Sequence, residues 1–452
     1  MDLLEPELRQ EFTSIIEKAQ SLKPLDWSRV YPLTEKDNQV VDASSISAPR
    51  REEIEGLLKR VVVMKLNGGL GTSMGCAGPK SLIEVQDGKT FLDLVLEQIE
   101  HLNKEFQSEV PLLLMNSFNT DQDTKQALAN SPAAVRVLNC VQSQFPRLDA
   151  STWEPIATTR DKPEEWYPPG HGDVFRTLKR SGLLDSLMLE GRDIIFVSNI
   201  DNLGATLDLS ILKYMTHDHD FISEQTIKTA ADVKGGAVIT YENRVSLLES
   251  AQVPKDHMND FTSISKFPYF NTNNIWFKIP AAKQLLDSKE LDLDVIVNPK
   301  KLGDRPVLQL EQAVGSAISS FKHAGAVIVP RDRFLPVKKT NDLFLVKSNL
   351  FVNEHGRLVK NPAAKWWSFN SIAPPVRLGH SFTTVEAFNK RVPQVPDLSN
   401  LCHLTVSGDV TFDAGVKLSG TVIIVVDHGK ELEVDNDLQD VIVTSREQRV
   451  IS

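Results

Sequence analysis

A glycine-rich segment at residues 66–81 carries the clearest chemical signal in this sequence. It reads Leu-Asn-Gly-Gly-Leu-Gly-Thr-Ser-Met-Gly-Cys-Ala-Gly-Pro-Lys-Ser and continues an apolar run that begins with three valines. Such a run predicts a buried parallel strand. Glycines let bare backbone N–H groups approach a polyphosphate, and Lys80 adds a compact positive charge for its oxygens. The segment therefore predicts a phosphate-binding loop; the alternative is a tight turn with a solvated lysine.

Two well-known phosphate-binding loops do not fit this segment. A P-loop would need glycine at positions 74 and 79, which hold Met74 and Pro79 instead. A dinucleotide fingerprint that began at Gly69 would also need glycine at position 74. The predicted loop is therefore of neither type.

The segment does resemble the nucleotide-binding loop of one family. Leu-Asn-Gly-Gly-Leu-Gly-Thr-Ser-Met-Gly, closed by Gly-Pro-Lys-Ser, is similar to that loop in the eukaryotic UTP–glucose-1-phosphate uridylyltransferases, or UDP-glucose pyrophosphorylases. The wider sugar nucleotidyltransferase family usually carries arginine after Gly-Thr, whereas this chain has Ser73, which points to the UTP-using branch. The resemblance implies that Lys80 acts on the phosphates as a catalytic residue. It also implies that the nucleotide contacts Leu66, Asn67, Gly68, Gly69 and Gly71.

The heptapeptide Tyr167-Pro-Pro-Gly-His-Gly-Asp173 is a second segment with functional character. Its prolines stiffen the chain, and its glycines let the backbone come close to a ligand on both sides of His171. A lone histidine is usually structural. The whole segment, however, resembles the family's contact with uridine and the sugar phosphate, so we expect Gly170 and His171 to bind substrate.

Two residues after predicted strands are candidates for recognition of the base. The side-chain amide of Gln142 offers both a donor and an acceptor, as the edge of uracil requires. Met115 follows another strand and could pack against the plane of the base. The alternatives are a loop glutamine and a core methionine. The family uses the matching residues for uracil, which favours the functional interpretation.

A carboxylate in Ser198-Asn-Ile-Asp-Asn-Leu-Gly204 is the candidate metal ligand. Asp201 follows a predicted strand, where one carboxylate facing a triphosphate can hold Mg²⁺ together with several waters. An Asx-turn is the alternative. By resemblance, Asp201 is the family's metal aspartate and Asn199 contacts substrate.

Three further segments match the family's sugar side: Asp232-Val-Lys-Gly-Gly236, Glu249-Ser-Ala-Gln-Val-Pro254 and Phe270-Asn-Thr-Asn-Asn274. Amides and carboxylates suit sugar hydroxyls. By resemblance, Glu249 and Asn271 or Asn273 bind glucose, although each could be a turn or a cap. The segment Arg333-Phe-Leu-Pro-Val-Lys-Lys339 offers two lysines, and the family pattern places the catalytic one at Lys338.

Composition excludes several classes of protein. The 452 residues carry a formal net charge of −10 with no block of Lys and Arg, which argues against a nucleic-acid partner. Three widely spaced cysteines form neither a disulfide framework nor a zinc site. The amino terminus lacks the features of a signal peptide, and no apolar run has the length of a membrane span. We therefore expect a soluble cytoplasmic protein.

The hydrophobic pattern predicts the elements that position these residues. A helix is expected over 5–22 and an irregular lead-in over 24–50. Predicted strands at 61–66, 111–115, 137–141 and 193–197 alternate with longer amphipathic stretches, including helices near 90–105 and 121–130, and a last helix is expected at 341–350. Such alternation is typical of a mostly parallel sheet whose ligands bind beyond the carboxyl ends of its strands.

A six-residue period begins at Leu404. One series is Leu404, Val410, Val416 and Val422; the other is Val406, Phe412, Leu418 and Ile424. The period predicts a parallel β-helix, with a slip of phase at residues 427–430 and partial resumption at Leu432, Val434 and Leu438. Exposed strand edges there predict a surface for homo-oligomer formation.

The sequence thus predicts an α/β protein with a Rossmann-like, mixed but mostly parallel sheet of the nucleotidyltransferase fold and a C-terminal parallel β-helix domain. Its expected divisions are an N-terminal segment (1–60), a catalytic domain (61–350), a connector (351–400) containing an unassigned Trp366-Trp367 pair, and the C-terminal domain (401–452).

The resemblance implies a reversible reaction in which UTP and glucose 1-phosphate give UDP-glucose and pyrophosphate, with Mg²⁺ as cofactor. It covers residues 66 to about 424 and is weakest before 60, at 355–375 and after 429. Two alternatives remain: an enzyme for another sugar phosphate, such as N-acetylglucosamine or galactose 1-phosphate, and a silent nucleotide-binding scaffold. Retention of Lys80, Asp201 and Lys338 argues against the scaffold.

Overall fold

A mixed sheet of eight strands forms the centre of the protein. The computed structural model describes residues 3–34, 40–229, 232, 235–242, 244–445 and 448–450. The strands of the sheet in chain order are β1 (Val40–Asp42), β2 (Val61–Asn67), β3 (Leu112–Asn116), β4 (Val137–Val141), β5 (Ile194–Asn199), β6 (Phe221–Ile227), β7 (Tyr269–Lys278) and β8 (Ala324–Ile328). Their spatial order is β1-β8-β6-β7-β5-β2-β3-β4. Only β7 runs antiparallel to its neighbours, so the sheet is mixed but mostly parallel, as predicted.

The described residues contain eleven α-helices, and most of those that connect strands of the sheet pack against it. In chain order they are Pro6–Gln20, Arg51–Leu58, Phe91–Phe106, Asp121–Ala129, Val174–Arg180, Leu183–Leu189, Leu209–Met215, Met258–Thr262, Ile279–Asp287, Thr340–Val346 and Val385–Arg391. The predicted helices at 5–22, 90–105 and 121–130 are present within two residues of their expected ends, whereas the last one ends at Val346 rather than 350. Among the described residues, no helix is both long and apolar enough to span a bilayer.

Burial on both faces explains why β2 is apolar along its length. Val61 and Val63 face one core cluster, while Val62, Met64 and Leu66 face the other. A strand covered on both faces reads as a continuous apolar run, since neither face is available for polar residues.

The register of the parallel strands brings their carboxyl ends to one edge. Asn67 of β2 lies opposite Asn116 of β3, and Asn116 lies opposite Val141 of β4. On the other side of β2, Leu66 lies opposite Asn199 of β5. The segments that follow β2, β4 and β5, which carry most of the candidate residues, therefore start side by side.

The lead-in at 24–50 is less irregular than predicted. It contains β1, which pairs in parallel with β8 at the edge of the sheet, and the strand Val30–Pro32, which pairs with Ala237–Tyr241. Both strands have three residues, which is too short for any alternation to be read from sequence. Residues 35–39 lie outside the described residues.

Several small sheets and hairpins surround the central sheet. Ala237–Tyr241 also pairs with Arg244–Leu248, and Arg305–Glu311 lies between Ile296–Leu302 and Leu148–Asp149. Two-stranded hairpins or pairs are formed by Glu84–Gln86 with Lys89–Thr90, Phe145–Pro146 with Trp166–Tyr167, and Phe351–Glu354 with Arg357–Lys360.

The C-terminal strands form two parallel ladders. They are β9 (Val376–Leu378), β10 (Asp397–Ser407), β11 (Asp409–Phe412), β12 (Lys417–Val425), β13 (Glu431–Val434), β14 (Leu438–Thr444) and β15 (Gln448–Val450). One sheet has the order β9-β10-β12-β14-β15, and β11 pairs with β13. All of these pairs are parallel except β14 with β15. Parallel pairing thus starts at Val376, inside the stretch expected to be a connector.

The six-residue period corresponds to burial in these ladders. All eight residues of the two series are buried, and they belong to the same hydrophobic cluster as Val61 and Val63 of β2. The C-terminal strands therefore share a core with one face of the central sheet.

The Trp366-Trp367 pair holds the connecting segment in place. The Trp367 indole N–H donates to the Leu350 carbonyl at 2.7 Å, and its ring packs edge-on against Phe351. The Trp366 indole donates to the Ile372 carbonyl at 2.7 Å. Satisfied indole donors indicate a structural role for both tryptophans.

Candidate active site

The glycine loop after β2 is folded back on itself. Lys80 N donates to the Gly69 carbonyl and Gly71 N to the Gly78 carbonyl, each at 3.2 Å. Gly75 at the tip has φ +73°, a left-handed conformation that other residues adopt with strain. A Cβ there would also come within 2.5 Å of Thr384 Cγ2, at the start of helix Val385–Arg391. The loop is therefore a hairpin, held by its own backbone hydrogen bonds, that begins at Gly68 and ends at Lys80.

Gln142 lies directly against the start of this loop. A Cβ on Gly68 would come within 2.0 Å of Gln142 Nε2, so a side chain at position 68 would displace the Gln142 amide from this contact. The Ser117 hydroxyl donates to the Gly68 carbonyl at 2.8 Å and fixes the loop from below. Gln142 is 7% exposed, and its Oε1 is a buried acceptor with no hydrogen-bond partner among the described residues. An unsatisfied amide beside a glycine cradle is suited to the edge of a base.

Three other candidates at this end are buried in the sheet, namely Leu66, Asn67 and Met115. Met115 is 1% exposed and packs in the core cluster that contains Leu66, so it supports the loop from beneath and presents no surface to a ligand. The Asn67 amide donates to Asn116 Oδ1 and to Thr124 Oγ1, both at 2.9 Å. In this conformation the Asn67 and Met115 side chains thus have structural contacts.

The segment around His171 is packed against Gln312. Gly170 has φ +87°, and a Cβ there would come within 2.7 Å of the Gln312 carbonyl oxygen. His171 Nδ1 accepts a hydrogen bond from Val314 N at 3.0 Å, which leaves the proton of the neutral ring on Nε2. Burial lowers the pKa of His171 to about 4, so the imidazole is neutral at pH 7.

Asp173 joins the His171 segment to the Gln142 loop, a link that sequence reasoning missed. Its Oδ2 accepts hydrogen bonds from Ser143 N at 2.6 Å and from Thr177 Oγ1 at 2.8 Å. Asp173 is 1% exposed. The backbone next to Gln142 is therefore held by a buried carboxylate. In the sequence, the only indication of this link was the aspartate at the end of the heptapeptide.

At the other end of the loop, Lys80 and Asp201 form an ion pair. The Lys80 ammonium lies 2.5 Å from Asp201 Oδ2, and both side chains are less than one-fifth exposed. Asp201 is held by the segment before Lys338, since Val337 N donates to the Asp201 carbonyl at 3.1 Å. Within the described residues, no group of three or more His, Cys, Asp or Glu could hold a metal by protein ligands alone.

A buried lysine lies behind Asp201. Lys65 of β2 is 1% exposed and donates to Ser198 Oγ at 2.8 Å and to the Ala205 carbonyl at 2.7 Å. Burial lowers the pKa of Lys65 to about 7, with the charge of Arg333 acting in the same direction and Glu224 and Asp201 opposing. Sequence reasoning missed this residue, although a lysine inside an apolar run was a usable signal.

A buried ion pair anchors the segment that carries Lys338. Arg333 donates to both carboxylate oxygens of Glu224, at 2.7 and 2.8 Å, and Glu224 is fully buried. Trp276 Nε1 also donates to Glu224 Oε1 at 2.8 Å. A bidentate pair with further hydrogen bonds fixes direction as well as charge. The two partners are 109 residues apart, which no local pattern could reveal.

The candidate sugar residues form a continuous group. Asn271 N donates to the Gly236 carbonyl at 2.9 Å, and a Cβ on Gly236 would come within 2.8 Å of Glu249 Oε2. Asn273, at φ +60°, donates to Asn199 Oδ1 at 3.0 Å. Burial raises the pKa of Glu249, and the positive charge of Lys338 opposes that rise. Val233 and Lys234 of the matching segment lie outside the described residues.

Lys338 is exposed and lies close to both the candidate sugar residues and the Asp201 turn. Its Nζ lies 5.9 Å from the centre of the Phe334 ring, and its charge acts on Glu249 and on Asp342. Asp342 is a further contact that sequence reasoning missed, since its carboxylate accepts the Lys338 backbone N–H. The structure thus gathers the Gln142 amide, the glycine loop, the Lys80–Asp201 pair, the exposed Lys338 and the candidate sugar residues into one region.

Comparison with known proteins identifies the family to which the chain belongs. The family model described as UTP–glucose-1-phosphate uridylyltransferase matches residues 7–419. The UTP–glucose-1-phosphate uridylyltransferase of Saccharomyces cerevisiae is 47% identical over 443 residues, which cover 96% of this chain and 87% of the yeast sequence.

Solved structures of UDP-glucose pyrophosphorylase from Leishmania major are also similar. One described as showing open and closed structures has a TM-score of 0.86 at 33% identity, covering 98% of this chain and 97% of that one. A mutant in complex with UDP-glucose gives the same TM-score and identity, with coverage of 97% and 96%. This chain therefore belongs to the UTP–glucose-1-phosphate uridylyltransferase family.

Proposed function

We propose that this protein transfers uridylyl from UTP to glucose 1-phosphate, giving UDP-glucose and pyrophosphate in a reversible reaction. The observation that carries the proposal is the glycine loop with its two different ends. An unsatisfied amide, Gln142, adjoins Gly68 at one end, and the Lys80–Asp201 pair adjoins the other. This order suits UTP, with its base beside Gln142 and its phosphates along the loop towards Lys80.

The chemistry requires positioning and charge more than proton transfer. A phosphate oxygen of glucose 1-phosphate attacks the α-phosphorus of UTP in line; its bond to phosphorus forms as the bond to the pyrophosphate oxygen breaks. The attacking oxygen is already anionic, so no general base is required. Lys80 and Lys338 are proposed to neutralise the charge that develops on the phosphates.

Nucleotide selection is assigned to the buried end of the site. Gln142 is proposed to pair with uracil, while the backbone of Gly68, Gly69 and Gly71 passes along the nucleotide. The neutral His171, held by Val314 N, offers an Nε2–H donor towards the uridine and sugar-phosphate side. The buried Leu66, Asn67 and Met115 are proposed to support this end through the loop that they hold.

Asp201 is the proposed ligand of Mg²⁺. A single carboxylate fits an ion that keeps several waters and is shared with substrate phosphates. Such an ion would supply further positive charge to the phosphates when it is bound. Asp201 would hold the ion, and Lys80, its partner in the ion pair, would contact the phosphates beside it.

Glucose is the proposed sugar because the chain belongs to the UTP–glucose-1-phosphate uridylyltransferase family, and the polar group beside Lys338 offers amides and one carboxylate to sugar hydroxyls. Glu249, Asn271, Asn273 and Asn199 would meet its hydroxyls. Another sugar 1-phosphate is the competing substrate class. A panel that includes galactose and N-acetylglucosamine 1-phosphates separates the two.

The finer division of the chain is also a proposal. We assign residues 1–60 to an N-terminal segment, 61–350 to the catalytic domain, 351–400 to a connector and 401–452 to a parallel β-helix domain through which copies associate. Burial of both six-residue series supports the β-helix. If copies associate there, light scattering should give a multiple of 50.4 kDa, and Val425→Lys, at an exposed position of β12, should lower the mass. A mass that is monomeric from the start would contradict the association.

The direct test is release of pyrophosphate from UTP, Mg²⁺ and glucose 1-phosphate, with ATP, GTP and CTP as controls. We expect release that depends on both UTP and the sugar phosphate. Absence of release that depends on glucose 1-phosphate would refute the proposed function.

A further inference from the structure

The carboxylate of Asp342 holds the backbone from which the Lys338 side chain extends. Its Oδ2 accepts two hydrogen bonds, from Lys338 N at 2.8 Å and from Lys339 N at 2.9 Å. Two consecutive N–H groups that share one acceptor leave little freedom to the peptide between them. The direction in which Lys338 projects therefore depends on Asp342.

The opposite side of Lys338 is held by the glycine loop. The Ser73 hydroxyl donates to the Lys338 carbonyl at 3.4 Å, a long hydrogen bond. Just before Lys338, Val337 N donates to the Asp201 carbonyl. Lys338 thus lies between the glycine loop, the Asp201 turn and Asp342. The loop and the Asp201 turn are both distant from Lys338 in sequence.

Asp342 orients Lys338 without neutralising it. Among the described residues, no salt bridge joins Asp342 to Lys338, and Lys80 pairs with Asp201 instead. Burial nevertheless raises the pKa of Asp342, and the charges of Lys80 and Lys338 oppose that rise, so both ammonium groups are near enough to interact. Because the Asp342 carboxylate accepts backbone N–H groups, the ammonium of Lys338 stays available for phosphate oxygens.

We propose that Asp342 is the positioning residue for Lys338 in uridylyl transfer. The inference rests on the proposed function, because Asp342 acts there only through Lys338. Small errors in the position of a catalytic group are costly: a displacement of about 1 Å can cost about a hundredfold in rate.

The competing explanation is ordinary capping of the helix Thr340–Val346, whose third residue is Asp342. The chain contains a matched control for that role. Asp93 is the third residue of helix Phe91–Phe106, and its carboxylate accepts the Thr90 backbone N–H at 2.9 Å. Asp93→Asn therefore reports what loss of a capping carboxylate does away from Lys338.

The test is a double-mutant cycle between Asp342 and Lys338 in the full-length protein, measured as kcat and KM for UTP. Asp342→Ala should lower kcat by about tenfold to a hundredfold, with KM changed by less than about threefold. Asp342→Asn keeps an oxygen for both N–H groups and should lose less. In a Lys338→Ala background, Asp342→Ala should cost no more than about twofold, because the group that it positions is gone. Asp93→Asn should leave kcat unchanged.

Two results would overturn the inference while the wild type remains active. One is an unchanged kcat in both Asp342 variants; the other is a loss that is equal with and without Lys338. If Asp342→Ala does not fold, the cycle with Asp342→Asn decides between the same outcomes. A wild type that releases no pyrophosphate from UTP and glucose 1-phosphate would instead refute the proposed function.

Discussion

At the base end of the glycine loop, the Gln142 amide is buried against Gly68, whereas at the phosphate end Lys338 is exposed and Lys80 is paired with Asp201. The base end is held by Ser117 and Asp173 through hydrogen bonds to the backbone. Among the described residues, Gln142 Oε1 is one of several buried polar atoms at this end without a hydrogen-bond partner, together with Ser143 Oγ and Asp173 Oδ1. The phosphate end holds charges that can change partners.

We expect this difference to separate selection of the nucleotide from the rate of the reaction. A buried amide discriminates between bases, because a wrong base leaves a polar group unpaired out of reach of water. Charged side chains near the phosphates discriminate poorly between bases, but they stabilise the negative charge that develops during the transfer. Substitutions at the two ends should therefore change different kinetic quantities.

The largest effect is expected for Lys338→Ala. Negative charge moves onto the pyrophosphate as the bond to the α-phosphorus breaks, and removal of one stabilising contact typically costs about 3–4 kcal/mol. We expect kcat to fall by about a hundredfold to a thousandfold with a smaller change in UTP affinity, as measured by steady-state kinetics.

Lys339→Ala is the matched control for that variant. Lys339 also donates its backbone N–H to Asp342, whereas it is the charge of Lys338 that opposes the raised pKa of Glu249 and of Asp342. It should be nearly silent. An essential Lys339 beside a dispensable Lys338 would mean that the family pattern has been aligned one residue out of register.

Asp201→Asn should have the next largest effect. The change keeps the shape of the side chain but removes the charge that a hard cation prefers and that Lys80 contacts. Most of the turnover should be lost, with a raised requirement for Mg²⁺ in a titration of rate against metal concentration.

Asp193→Asn provides the comparison for Asp201→Asn. Asp193 lies just before β5, at its other end, and pairs with Arg60 at 2.6 Å. Its loss should leave the metal dependence unchanged. An ordinary Mg²⁺ requirement in Asp201→Asn would rule out the assigned role.

Gln142→Ala tests the base end. A mismatched buried polar group costs about 1–3 kcal/mol, so the preference for UTP over CTP should shrink by about tenfold to a hundredfold. The ratio of kcat/KM for the two nucleotides measures it. Gln144→Ala, two residues away in the same loop, should keep the preference, and a retained preference in Gln142→Ala would contradict the assignment.

The smallest effect concerns pH and His171. The folded state depresses the pKa of His171 from 6.5 to about 4, so the unfolded chain binds the extra proton first as the pH falls. The stability that this histidine contributes is present above pH 6.5 and is lost as the pH falls towards 4. His171→Asn keeps an acceptor for Val314 N without titrating, so its Tm should fall less than that of the wild type between pH 7.5 and 5. Equal losses of Tm would show that His171 does not titrate this way.

Much of the fold could be predicted because its signals are local. The apolar run of β2 and the six-residue series of β10–β12 report burial directly, and the positions of Gln142 and Asp201 after strands follow from the parallel sheet. The edge strand β1 could not be predicted, because three residues carry no period and its partner β8 lies far along the chain.

The supporting contacts of the site were hidden for the same reason. Arg333 and Glu224 meet only in the folded chain, and Asp342 looks like any carboxylate near the start of a helix. A lysine inside an apolar strand is unusual, so Lys65 could have been recognised from sequence. Its hydrogen bonds to Ser198 and Ala205 could not. Sequence thus indicated the groups proposed to contact substrate better than the groups that hold them in place.

The most direct test of the separation between selection and rate compares Lys338→Ala and Gln142→Ala in one experiment. Rates of pyrophosphate release are measured at saturating UTP and at saturating CTP, each with glucose 1-phosphate, together with kcat/KM for both nucleotides. Lys338→Ala should lose turnover with both nucleotides and keep the wild-type preference for UTP. Gln142→Ala should keep most of its turnover with saturating UTP and lose the preference. If either variant loses turnover and preference together, the two ends of the site do not work separately.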